Sequence, residues 1–134
     1  MPARASFDYA LVRVVPRVER GECINAGMIL YCKTMGFLEA RLALDRARLT
    51  ALDPSVDVDE VARALGLIPL VCAGAPGSGP IGRLPQAERF HWLTSPRSTI
   101  TQTSPVHSGI CDDPAASLAR LMDTMVLPPA PTRR

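Results

Sequence analysis

Lysine is nearly missing from this chain: of its fifteen basic residues only Lys33 is not an arginine. Aromatics are sparse too, with a single tryptophan (Trp92), and there are only two histidines, His91 and His107. The net charge is +2, and no basic run or RNA-binding signature appears. Nucleic-acid binding through bulk electrostatics is therefore not expected. The four cysteines (Cys23, Cys32, Cys72, Cys111) form no Cys-x-x-Cys pair and have no histidine at zinc-finger spacing. That removes the usual structural zinc site and makes reduced thiols the expected state. No metal and no cofactor is expected. No stretch approaches the roughly 20 apolar residues of a membrane span, and the opening MPARASFDYA has no apolar core of signal-peptide length. The expectation is a cytoplasmic protein without membrane contact.

What is present suits one soluble domain. At 134 residues, 47% hydrophobic and 21% charged, the chain can bury a single core without staples. Residues 1–6 and 128–134 read as flexible tails. Phe7–Val15 alternates as a strand, ended by Pro16. Cys23–Cys32 is a second strand, with Ile24, Ala26, Met28 and Leu30 on one parity. A hairpin through Lys33–Gly36 leads to a third over Phe37–Leu44. Short links make these an antiparallel meander. Asp45 can cap a helix over Arg46–Leu52, and Asp57 or Asp59 a longer one ending near Gly66 or Pro69. Ala73–Pro85 is a Gly/Pro loop without the order of a phosphate or dinucleotide fingerprint. Phe90–Thr94 reads as a fourth strand and Ser98–Thr103 as a fifth. Asp113 and Pro114 open a last helix with Leu118, Leu121, Met122 and Met125 as its stripe. The fold expected is α+β: a two-layer sandwich of a mainly antiparallel sheet of about five strands, with the two longer helices on one face.

If Phe90 and Trp92 point into the core, then Arg89 and His91 point outward. Together with Tyr9, Arg13, Asn25, Tyr31, Glu39 and Arg41 they would form an aromatic and arginine-bearing sheet face, the composition interfaces favour. The stretch 88–109 concentrates the remaining chemistry. Arg97, Ser98, Ser104 and His107 lie in a proline-punctuated segment whose guanidinium, hydroxyls and turn amides could hold a phosphate or carboxylate. Histidine is the side chain suited to proton transfer near neutral pH, and His91 and His107 are the weak candidates for it. No catalytic signature supports them: there is no Gly-x-Ser-x-Gly elbow and no placed acid. The binding candidates are Arg13, Asn25, Arg89, His91, Arg97, Ser98, Ser104 and His107.

Residues 9–27 (YALVRVVPRVERGECINAG), then Gly36–Leu38, the segments ERFHWLTSPRS and SPVHSG, and the closing DDPAASLARLM resemble a bacterial family catalogued as domain of unknown function 3037. Cys23, Ala26 and Met28 stand where larger or β-branched apolar residues are expected of it. The resemblance implies a small cytoplasmic bacterial protein often encoded beside a HipA-like kinase, and hence that kinase as a protein partner. The function expected is a non-catalytic accessory or binding module. The alternative is an enzyme or sensor acting on a phosphorylated small molecule or nucleic acid through the Arg/His/Ser cluster.

Overall fold

The computed structural model describes residues 4–129. Its three long strands are β1 (Ala5–Val14), β2 (Ile24–Cys32) and β3 (Phe37–Leu42), joined as the expected antiparallel meander. Ala5 and Ser6, expected in a tail, belong to β1; residues 1–3 and 130–134 lie outside the described residues. Next come α1 (Arg46–Leu52) and α2 (Val58–Ala73), capped by the carboxylates of Asp45 and Asp57 as read from the sequence. A 3₁₀ turn over Pro80–Arg83 leads into α3 (Gln86–Leu93). The chain closes with β4 (Thr101–Thr103), β5 (His107–Cys111), α4 (Pro114–Leu121) and a π-helical turn over Met122–Val126.

The sheet runs β3-β2-β1-β4, with β5 also paired to β1. β4 lies along Val12–Val14 and β5 along Ala5–Tyr9, so two short segments share one edge position. Ser104 bridges their break. Its N–H donates to the Leu11 carbonyl at 2.9 Å, and its hydroxyl accepts from the Leu11 N–H at 2.9 Å. The side chain thus replaces a missing ladder partner, which a buried peptide group requires.

The α+β class and the five-stranded antiparallel sheet stand as expected, but the two longer helices divide between the sheet's faces. Val12, Val14, Ile29 and Leu38 pack under Leu49 of α1, Leu65 and Ile68 of α2, and Phe90 and Leu93 of α3. Phe7, Met28, Leu30 and Cys32 pack under Leu118 and Leu121 of α4 and Met122 and Val126 beyond it. The expected parity of β2 fails for a local reason. Val12 pairs with Gly27 but Arg13 with Asn25, so Ala26 is an extra residue in a β-bulge. Ile24 and Ala26 therefore face α2, while Met28 and Leu30 face α4. Gly27 sits at the bulge because a Cβ there would lie 2.6 Å from the Arg41 carbonyl. With both faces covered, β2 reads as a nearly continuous apolar run.

Phe90–Thr94, expected as a strand, is instead the last turn of α3 and its C-cap Thr94. At 3.6 residues per turn Phe90 and Trp92 lie about 200° apart around the axis. Phe90 is buried against Tyr31, ring centroids 5.4 Å apart, while Trp92 is 42% exposed. The expected fifth strand shrinks to β4, and β5 was not foreseen.

Candidate functional site

The outward face expected from Trp92 pointing inward does not form. Tyr9 packs with the α4 cluster and Tyr31 with the α2 cluster, on opposite sides of the sheet. Arg13 and Asn25 are paired across β1 and β2. Asn25 donates through Nδ2 to the Met125 carbonyl at 3.1 Å, holding the π-helical turn against the strand. The Nε of Arg13 is buried without a hydrogen-bond partner among the described residues.

Nor does the arginine, histidine and serine cluster assemble. Arg89 is committed to backbone. Its Nη1 donates to the Val71 and Cys72 carbonyls at 3.1 and 2.6 Å, and its Nε to the Leu84 carbonyl at 2.8 Å. The Nη1 bonds satisfy carbonyls at the α2 C-terminus, where a cation also complements the helix dipole. Gly74 completes that end with φ 62°, accepting the left-handed conformation beside the guanidinium. The helix runs on past Pro69 because Ile68, Val71 and Cys72 pack into the core on either side of it. His91 is exposed on α3. His107 lies directly across from Tyr9 and stacks on it at 5.6 Å, on the α4 side of the sheet. The His107 ring thus lies on the α4 side of the sheet, while His91 is carried by α3, which packs on the α2 side. Ser104 is 2% exposed and serves the strand break described above, while Ser98 is exposed, with no side-chain hydrogen bond among the described residues.

What the chain does build is a groove. An apolar cavity of about 340 Å³ opens between α2, the 77–81 segment, α3 and β4. Ile68, Val71, Ile81 and Leu93 form its lining, with Leu67 and Trp92 at the wall. Leu67 is 54% exposed and Trp92 42%, and the two flank one apolar hollow rather than standing singly. Arg97 holds Trp92 in place. Its guanidinium carbon lies 4.5 Å from the ring centroid, and it donates to the Trp92 and Leu93 carbonyls at 2.6 and 3.2 Å. A shallower hollow of about 140 Å³ continues past Ala64 and Thr101 to Asp57, Glu60 and Ile100.

Arg97, expected among the binding residues, does line the groove, whereas Trp92 was expected in the core and Leu67 was no candidate. Leu67 stands one turn from Leu70, also exposed, off the Val61–Leu65–Ile68 stripe. That surplus of leucine on the outer face was the available signal. Among the described residues no group of three or more metal-ligating side chains occurs, and no helix is long and apolar enough to cross a membrane.

Fold and groove together define a small α+β domain with helices on both faces of an antiparallel sheet and an apolar cleft at the sheet's edge. The chain belongs to the family described as protein of unknown function (DUF3037), whose model matches residues 9–126. No curated protein and no solved structure matches it.

Proposed function

We propose that the protein is an accessory binding module that engages a protein partner through the α2–β4 groove, and that the partner is a HipA-like kinase encoded beside it. The observation carrying this reading is the exposed apolar pair Leu67 and Trp92 over an apolar lining, with Trp92 held by Arg97. A preorganised tryptophan beside an apolar pocket is the kind of anchor that dominates interface energies. The alternative, an enzyme or sensor of a phosphorylated ligand, would have Arg97 as its groove cation, since Arg89 is spent on α2 and the histidines are apart.

Co-expression of tagged protein with the kinase tests the proposal. The kinase is expected to co-purify with the wild type and to be lost with Leu67→Glu and Trp92→Ala, while both variants keep the wild-type circular dichroism. Retention of the kinase by both folded variants would remove the groove from the interaction. Its absence with wild type would remove this partner.

A further inference from the structure

One side of the groove is bounded by a free strand edge. β4 is the last strand of its sheet, paired to β1 alone. Ile100 accepts from the Val15 N–H at 2.7 Å and Ser104 donates to the Leu11 carbonyl at 2.9 Å, so even-numbered residues aim their peptide groups at β1. In an antiparallel ladder the alternate residues aim the other way. Thr101 and Thr103 therefore turn their N–H groups, and Thr103 its carbonyl, toward the outside of the sheet. The Thr101 carbonyl accepts from the Thr99 hydroxyl at 2.9 Å. The others have no hydrogen-bond partner among the described residues. Their side chains share a face with Val12 and Val14, which puts them in the groove opposite α2.

Unpaired edge peptides on one side of an apolar cleft and a helix on the other are the elements of strand addition. The charges select the occupant further. One hollow carries Arg97, three of whose five N–H groups are not used by the two carbonyls it binds; the other carries the carboxylates of Asp57 and Glu60. Taking the binding-module reading as given, we infer that the groove receives an extended segment of the partner, hydrogen-bonded as an added strand to Thr101 and Thr103. Its alternate residues are apolar and enter the cleft, an acidic residue meets Arg97, and a basic residue meets Asp57 and Glu60. Backbone pairing supplies the attachment, and the alternate side chains supply the selectivity.

Synthetic heptapeptides with alternating Val and Thr between Lys at one end and Glu at the other, in both orders, are the probe. One order is expected to bind, slowing hydrogen exchange at the Thr101 and Thr103 amides. Peptides with Lys at both ends or Glu at both ends should bind about tenfold more weakly. Thr103→Pro removes an outward N–H without touching the β1 ladder, as proline on an edge strand permits, and should weaken binding by about tenfold or more. Methylating alternate peptide nitrogens of the probe should do the same with the protein unaltered. Binding that survives both changes without amide protection overturns strand addition but leaves the groove as the docking site. Failure of both peptides to bind overturns the inference, while the kinase experiment with Leu67→Glu decides the broader reading separately. Self-association of the free chain that Thr103→Pro abolishes would assign the edge to a second copy and also overturn it.

Discussion

Arg89→Ala separates a structural arginine from a binding one. The guanidinium donates three hydrogen bonds, of 2.6, 2.8 and 3.1 Å, to carbonyls of Cys72, Leu84 and Val71. It ties the end of α2 to the turn that launches α3. A hydrogen bond from a charged group contributes about 1.5–3 kcal/mol, and the helix-end charge adds a few tenths. The three bonds share one partly exposed side chain, and water can reach some of the released carbonyls. The combined loss is therefore about 2–4 kcal/mol rather than the sum. With an unfolding entropy near 2.1 cal/mol/K per residue, the Tm should fall by about 7–14 °C. Arg89→Lys should recover less than half of this, because one ammonium cannot span both Leu84 and the Val71–Cys72 pair. Thermal unfolding followed by circular dichroism gives the shift, and hydrogen exchange should show the 74–85 segment opening first. A variant with unchanged Tm that has lost its partner would refute this assignment and restore Arg89 to the contact surface.

Two further outcomes follow from the titratable groups. Burial pushes the Cys72 thiol up to about 12, and burial also raises Cys111, whereas Cys23 is exposed; at pH 8 a thiol reagent should label only Cys23 in the native protein and all four cysteines in denaturant, and rapid native labelling of a second site would contradict the packing. Asp53 accepts from the Ser55 hydroxyl at 2.7 Å and amide at 3.0 Å, with Arg17 nearby, and these hold its carboxyl below the usual carboxylate range. A depressed carboxyl adds stability above its unfolded value near pH 4 and loses it as pH falls through the folded value; the drop in urea midpoint between pH 6 and pH 3 should be smaller in Asp53→Asn than in the wild type, and equal drops would discount the turn.

The meander, α1, the start of α2 and the start of α4 were legible because local chemistry marks them. Alternation runs through Phe37–Leu42, and Asp45, Asp57 and Asp113 each accept from a first-turn amide. The bulge at Ala26 was not legible. With both sheet faces buried, apolar residues occupy both parities of β2, so a one-residue slip moves only one polar side chain, Asn25, from one face to the other. The same double burial concealed that α4 lies opposite α2. Ser104 read as one hydroxyl among many, because the peptide it serves comes from Leu11, far away in sequence.

The misreading of 90–94 matters most, because the alternative conformations send the same residues to different tasks. Phe-His-Trp-Leu has strand composition, yet Gln86–Arg89 before it are good helix formers, with Glu88 in the first turn after Pro85. Once the helix forms, Phe90 and Leu93 fill the core, Arg89 reaches back to the α2 terminus, and Trp92 turns toward solvent above the cleft. Following the helix in the chain, β4 is the terminal strand on its side of the sheet, paired to β1 alone. The helix thus supplies the aromatic wall of the groove across from that strand, a consequence of eight residues choosing a period of 3.6 over a period of two.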